Sequence, residues 1–154
     1  GLSKGGVHFL HNTVAGSTPV NAAAIDTDTI QAATLRNNII ANHAAAIKAD
    51  APGQGIRAEH NLYFANAANE VGTISSSNNL EADPRFVDPT SGDFHLGEGS
   101  RAIDNGLDGG ITVDLDGLLR PQGKGFDIGA FEFEAAPAPN PSRDFTVYLP
   151  LVVK

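Results

Sequence analysis

Aspartates late in the chain are the side chains whose types and spacing first suggest chemistry. They alternate with glycines, and hard cations such as Ca²⁺ take oxygen ligands from loops of that composition. The candidate metal ligands are Asp114, Asp116 and Asp127. An EF-hand loop beginning at Asp114 would need a bidentate glutamate where the chain has Gly125. We therefore predict no metal, with calcium as the alternative, and expect these aspartates to cap turns, with Asp116 or Asp127 paired to Arg120.

Histidine is the other side-chain type that could bind a metal or transfer a proton. The chain contains His8, His11, His43, His60 and His95. No two of them have the spacing of a zinc site on a helix. His11 and His60 each precede an asparagine in similar local sequences, so we expect them to stack along a repeat or to point outward. We assign no catalytic residue and no cofactor.

The composition limits which elements could position these groups. With 17 glycines and 9 prolines, the chain is better suited to short strands and tight turns than to long helices. Its net charge of -8 argues against nucleic acid and anionic membranes as partners. It has no cysteine, and no apolar run reaches the roughly 18 residues of a membrane span.

A repeated asparagine is the main sign of internal order. The anchor residues Asn12, Asn38, Asn61 and Asn79 are spaced by 26, 23 and 18 residues. Strand-like segments precede the first three anchors, and Ala-rich stretches follow the first two. Units of this length are typical of a β-solenoid, in which asparagines tolerate the left-handed bend and form hydrogen-bonded amide ladders. The pattern also leaves open a short helix over residues 29–37.

The segment that follows carries a continuous signature. Its parts, in order, are Asp83-Pro84-Arg85-Phe86-Val87-Asp88, Gly92-Asp93-Phe94-His95-Leu96, Gly99-Ser100-Arg101-Ala102-Ile103-Asp104-Asn105-Gly106, Asp114-Leu115-Asp116-Gly117-Leu118-Leu119-Arg120-Pro121 and Asp127-Ile128-Gly129-Ala130-Phe131-Glu132. This resembles the C-terminal region of secreted bacterial right-handed parallel β-helix repeat proteins of the choice-of-anchor type. Arg101 stands where that family usually has proline, which puts one tight turn in doubt.

The resemblance implies an all-β chain: a short right-handed parallel β-helix of about three to four coils, extracellular or on the cell surface. We place the coils at 1–83, a C-terminal capping region at 84–134, a Pro-rich linker at 135–144 and an amphipathic strand at 145–154. The tail alternates apolar and other residues, as an exposed strand does. The apolar positions of this predicted assembly strand are Phe145, Val147, Leu149, Leu151 and Val153.

Enzymes of this architecture include polysaccharide lyases and pectin-degrading hydrolases. Such lyases use a basic residue to abstract a proton, and the hydrolases need paired carboxylates. The residues of this chain that could take those roles are Lys48, Arg57, Asp26, Asp28 and Asp50. No local motif supports them, and three to four coils about 4.8 Å apart form a short platform for a polysaccharide. We therefore predict that the chain is not an enzyme.

The leading hypothesis is a non-enzymatic extracellular structural protein that assembles with itself, head to tail, into an oligomer or filament. An open N-terminal coil would receive the C-terminal strand of the next copy by strand donation. The alternative is the C-terminal fragment of a larger secreted β-helix protein that binds or cleaves carbohydrate, with the tail as a surface-sorting or anchoring segment. Cell-surface polysaccharide is the other partner considered.

Overall fold

The computed structural model describes residues 6–135, so the predicted assembly strand and nearly all of the predicted linker lie outside the described residues. The described part is all-β, as predicted, and contains no helix long and apolar enough to span a membrane. Its eleven strands are Val7–Leu10 (β1), Thr13–Asp26 (β2), Ala32–Arg36 (β3), Ile39–Ala49 (β4), Gly55–Glu59 (β5), Leu62–Phe64 (β6), Ala68–Gly72 (β7), Ile74–Ser77 (β8), Leu80–Glu81 (β9), Phe86–Asp88 (β10) and Asp93–Leu96 (β11).

Two parallel sheets form the strand stack, a β-solenoid-like arrangement. One sheet has the order β1-β3-β5-β8, and the other has the order β2-β4-β6-β9 with β7 also paired to β4. Each anchor asparagine therefore lies between a strand of one sheet and a strand of the other. The alternative of a helix over residues 29–37 is wrong, because Ala33 and Leu35 alternate with more exposed neighbours and are buried between β1 and β5.

The left-handed backbone at each bend belongs to the residue before the anchor. His11, Asn37, His60 and Asn78 have φ values of 52°, 57°, 53° and 53°. The sequence interpretation placed this conformation on the anchor asparagines and was wrong by one position. The hydrogen bonds show the reason. Each anchor side chain lies along the stack, where it bonds the anchor asparagine of the next repeat, and the residue before it makes the turn.

Two apolar clusters hold the described chain together. The inner cluster fills the space between the two sheets and includes Leu35, Ile40, Ile47 and Tyr63. The outer cluster lies on the opposite face of the second sheet, because neighbouring residues of a strand point to opposite sides. There Ile39 and Leu62 pack against Leu96, Ala102 and Ile128, which all come from the later part of the chain.

The later segment forms a lateral layer, by which we mean residues 84–135. It contains the antiparallel pair β10–β11 and then turns and isolated bridges. Gly129 N–H donates to Asn37 O at 2.8 Å, and Ala130 N–H donates to Thr13 Oγ1 at 3.1 Å. These contacts reach back to the first strands, so this part of the predicted capping region packs along the side of the stack rather than across its last strands.

Candidate functional site

The four anchor asparagines form one hydrogen-bonded row. Asn12 donates to Asn38 Oδ1 through its backbone N–H at 3.0 Å and its side-chain amide at 2.9 Å. Asn38 does the same to Asn61 at 3.0 and 2.8 Å, and Asn61 to Asn79 at 2.9 and 3.1 Å. The second amide hydrogen of Asn38 and of Asn61 binds a carbonyl one repeat back, on Phe9 and Leu35 respectively. The row therefore has a direction, with donors pointing toward the last strands.

The asparagines at the two ends of the row have different hydrogen-bond partners. At the last end, the Asn79 side chain donates to Glu70 Oε1 at 3.1 Å, and the same carboxylate accepts the Tyr63 hydroxyl at 2.9 Å and the Ser76 hydroxyl. At the first end, Asn12 Oδ1 accepts no hydrogen bond from any described residue. Sequence reasoning missed Glu70, because nothing in its local pattern distinguishes it from a surface glutamate.

His11 and Asn37 begin a second, outer row at the bends. Their side chains are 2.8 Å apart, and His11 Nδ1 lies 3.2 Å from Asp127 O. Since a carbonyl only accepts, Nδ1 carries the proton and Nε2 accepts from the Asn37 amide. Burial, with the Arg120 charge nearby, lowers the pKa of His11 to about 4. His60 and Asn78 form the equivalent pair at 3.2 Å. Each histidine therefore pairs with an asparagine and not with the other histidine, so stacking of the two, one of the two expected arrangements, is not observed.

Turn capping is the role in which the structure places Asp114 and Asp127. Asp114 accepts N–H groups of Asp116, Leu118 and Glu132, whereas Asp127 accepts those of Asp104 and Phe133. Burial raises the pKa of Asp127 to about 6. Between residues 6 and 135, no group of three or more histidine, aspartate or glutamate side chains converges as a metal site would.

The expected pairing of Arg120 with Asp116 or Asp127 is wrong. Arg120 Nη1 donates to Glu132 Oε1 at 2.7 Å, and both side chains are almost completely buried. Nη2 donates to Gly129 O at 2.9 Å. Glu132 also accepts the backbone N–H of Asp127, so this ion pair holds together the turns of the lateral layer. Both residues lie within the signature segments, but nothing in the sequence indicates that they pair with each other.

Asp116 pairs instead with His95. The imidazole lies between two carboxylates, with Nε2 2.7 Å from Asp116 Oδ2 and Nδ1 2.6 Å from Asp93 Oδ1. These contacts, that of Asp116 first, raise the pKa of His95 above its usual value. The ring stacks on Phe131 at 4.1 Å and borders a cleft of about 630 Å³ with Phe133. Both ring nitrogens are engaged, so His95 joins β11 to the loop at Asp116.

Four of the five charged residues considered for polysaccharide cleavage lie together. Lys48 Nζ lies 3.2 Å from Asp26, 2.5 Å from Asp28 and 3.6 Å from Asp50. Hydrogen bonds to Asp28 and Asp26 raise the pKa of Lys48 above its usual range. Arg57 lies apart, on β5 of the other sheet. A lysine that abstracts a proton must be neutral, and this environment favours the charged ammonium.

The first end of the strand stack is formed by β1 and β2, and the charged residue within these two strands is Asp26, at the end of β2. Each of these strands is the edge of its sheet in the described residues, and residues 6–25 contain no Asp, Glu, Lys or Arg. A cleft of about 550 Å³ opens there. Its apolar lining comes from both layers: Phe9, Val14 and Ile25 from the stack, and Ile111, Val113 and Leu115 from the lateral layer. Polar and charged residues also line it, namely His11, Asn12, Thr13, Asp114 and Arg120.

No protein-family model, curated protein or solved structure matches this chain.

Proposed function

We propose that the chain is a non-enzymatic structural protein whose strand stack associates with a second copy through its first end. The observation that carries this proposal is that β1 and β2 are the edges of their sheets among the described residues, beside a cleft whose lining is partly apolar. Edge strands present unpaired N–H and C=O groups that readily pair with another chain. Val7 is 44% exposed and Val113 is 45% exposed, so association would also bury apolar surface that is now in water.

Charge favours the same surface. The chain carries a net charge of -8, so two copies repel each other over most approaches. The first end is free of charged residues from Gly6 to Ile25. Two copies that meet through residues 6–25 bring together a segment without charged side chains, which favours contact between like-charged molecules there.

The geometry of the charged clusters supports a structural rather than a catalytic role. The ammonium of Lys48 is surrounded by three carboxylates, and the guanidinium of Arg120 is buried in an ion pair with Glu132. His11 uses both ring nitrogens within the fold, as does His95. Each of these groups is committed to holding strands or turns together, and none is presented to a cleft as a free base or nucleophile.

The finer description of the fold belongs to the same proposal. We take the strand stack to be a right-handed parallel β-helix of three to four coils, on the strength of the parallel order of the two sheets and the likeness of residues 83–134 to secreted bacterial β-helix proteins. That likeness also supports an extracellular or cell-surface location. Crossover connections between parallel strands are right-handed in nearly all known proteins, which favours this hand.

Sedimentation velocity over a concentration series tests the proposed function. The wild-type chain should shift from monomer to larger species as concentration rises. Val7→Lys places a charge pointing inward at the exposed edge and should leave the chain monomeric. Ile74→Lys, at the same register position on the opposite edge strand β8, is the matched control and should associate like the wild type. Association that is equal in all three proteins would overturn the proposal, as would a wild-type protein that stays monomeric throughout.

A further inference from the structure

The surroundings of His95 require a proton on each of its ring nitrogens. Nδ1 lies 2.6 Å from Asp93 Oδ1, and Nε2 lies 2.7 Å from Asp116 Oδ2. Ionised carboxylates only accept hydrogen bonds, so a short contact at each nitrogen needs an N–H at both. The ring also stacks on Phe131, with 4.1 Å between ring centres. The arrangement is therefore complete only when the imidazole is protonated and positively charged.

The two carboxylates do not hold the ring equally. Asp93 lies on the same strand as His95, and its Oδ1 also accepts the His95 backbone N–H at 3.1 Å. Asp116 lies in the turn that Asp114 caps, and its side chain accepts a hydrogen bond from His95 alone among the described residues. When the ring loses one proton, the remaining N–H therefore stays with Asp93. The Nε2 lone pair then faces the Asp116 carboxylate, and the two repel each other.

The contact between His95 and Asp116 joins two walls of the cleft of about 630 Å³ in the lateral layer. One wall is the β10–β11 pair, which contributes Val87 and Leu96, and the other is the segment that contains Leu118. The side chains of His95 and Asp116 are 44% and 49% exposed, so the contact lies where the cleft meets solvent. Loss of this contact would free one wall of the cleft from the other.

The other charges around the ring do not replace its proton. The remaining titratable groups near it are all carboxylates: Asp88, which lies opposite Asp93 in the β10–β11 pair, and Glu98, Glu132 and Glu134 on the cleft. The charge of Glu132 is balanced by the buried Arg120. The imidazolium of His95 is thus the positive charge that attracts Asp116 to β11. Once it is neutral, the carboxylates of the two walls repel each other.

We propose that His95, with Asp93 and Asp116, is a proton-dependent clasp on this cleft. The protonated ring holds the Asp116 turn to β11 and narrows the entrance, whereas the neutral ring releases the turn and the cleft opens. The contacts with Asp116 and Asp93 raise the pKa of His95 above its usual value. The clasp is therefore closed at acidic and neutral pH, and it opens as the pH rises through that raised pKa. This device is independent of the proposed self-association.

Cysteine labelling reports the opening, because the chain contains no cysteine of its own. In the full-length protein, Leu118→Cys places a thiol on the cleft, and Ser75→Cys places a reference thiol on exposed β8. Each rate of reaction with N-ethylmaleimide is divided by the fraction of thiolate at that pH, which removes the effect of thiol ionisation. The corrected ratio of cleft to reference rate should rise several-fold with pH. Its midpoint should match the pKa of His95 measured by NMR of the histidine rings.

Two further substitutions, in the Leu118→Cys protein, separate the clasp from a general effect of charge. Asp116→Asn should keep the ratio low at every pH, because an amide can accept from the charged ring and donate to the neutral one. Glu134→Gln removes another carboxylate of the cleft and, as the matched control, should keep the wild-type midpoint. Circular dichroism checks that each variant is folded.

Three results would overturn the proposal. The first is a labelling ratio that stays constant while His95 titrates. The second is an undiminished rise of the ratio in Asp116→Asn. The third is a His95 ring that titrates at or below the usual value of about 6.5, since the two carboxylates would then not hold its proton.

Discussion

Asn38 and Asn61 are joined by two hydrogen bonds that end on one oxygen atom. The backbone N–H and the side-chain amide of Asn38 lie 3.0 and 2.8 Å from Asn61 Oδ1, and both residues are fully buried. Asn61 in turn donates its second amide hydrogen to Leu35 O at 2.9 Å. One side chain therefore bonds two backbone groups of the preceding repeat at the bend. The row binds the Asn38 N–H, while the Asn38 carbonyl accepts the Leu62 N–H at 2.8 Å as in a strand ladder.

Replacement of Asn61 should be costly. Asn61→Ala leaves the Asn38 N–H without the acceptor it has in the fold, at about 1 to 3 kcal/mol for a buried group, and it also removes the amide donor to the Leu35 carbonyl. Asn12→Ala is the matched control, because Asn12 is exposed and water can reach the groups it leaves. Urea unfolding followed by circular dichroism should show a much larger loss of unfolding free energy for Asn61→Ala than for Asn12→Ala. If the two variants lost equal free energies of unfolding, burial would not be what determines how much each asparagine of the row contributes to stability.

The Arg120–Glu132 pair gives a second stability prediction. Removal of one partner leaves a buried charge uncompensated, so Arg120→Met or Glu132→Leu should each cost about 3 to 5 kcal/mol. The double variant should lose less than the sum of the single losses, since it leaves no unpaired charge. Lys48→Met, which removes an exposed cluster, should stay close to the wild type. The measurement is a double-mutant cycle in urea, and strictly additive losses would contradict a direct pairing.

The pH dependence of stability should contain a contribution from His11. Its pKa is about 4 in the folded protein and about 6.5 when unfolded, so the unfolded chain binds the proton first as pH falls. Stability is therefore lost between pH 6.5 and pH 4, by about 3 kcal/mol in total. Asp127, with its pKa raised to about 6, opposes this by favouring the folded state as pH falls from 6. The contribution of His11 must accordingly be measured by difference.

His11→Asn isolates that contribution, because asparagine occupies the equivalent bend at Asn37 and tolerates a positive φ. The stability difference between the wild type and this variant should change with pH between 6.5 and 4. Urea unfolding at several pH values gives these differences. An NMR titration in which His11 titrates near 6.5 would contradict the proposed buried, Nδ1-protonated state.

Lys48 should react slowly with acylating reagents. The three aspartates around its ammonium favour the charged form, and only the neutral amine is nucleophilic. Lys124 is exposed and makes no ion pair with a described residue, which makes it the internal reference. Mass spectrometry after brief labelling at mildly alkaline pH should find Lys124 modified well before Lys48. Faster labelling of Lys48 would indicate a neutral amine and would reopen the catalytic interpretation.

The parallel order of the strands was accessible from the sequence because the anchors repeat. Asn12, Asn38, Asn61 and Asn79 mark equivalent points of successive repeats, and a row of equivalent residues requires parallel neighbours. The position of the left-handed residue was not accessible in the same way. His11 and His60 alternate there with asparagines, and histidine is a less obvious choice for a positive φ than asparagine.

The path of residues 84–135 was beyond what local sequence could give. The signature indicates turns, but the contacts of Gly129 with Asn37 and of Ala130 with Thr13 span most of the chain. The same holds for Glu70, whose role depends on Tyr63 and Asn79 meeting at the last end. Such contacts depend on which faces of the stack remain uncovered. Three-dimensional packing determines these faces, and the spacing of residues in the sequence does not.

Hydrogen–deuterium exchange at low and high protein concentration tests the central claim most directly. If the strand stack associates with a second copy through its first end, amides of β1 and β2 should exchange more slowly in the concentrated sample than in the dilute one. Because β1 and β2 are the edges of their sheets, their outward N–H groups have no partner among the described residues before association. Unchanged exchange across residues 7–26, in a sample shown by sedimentation to be associated, would contradict the account.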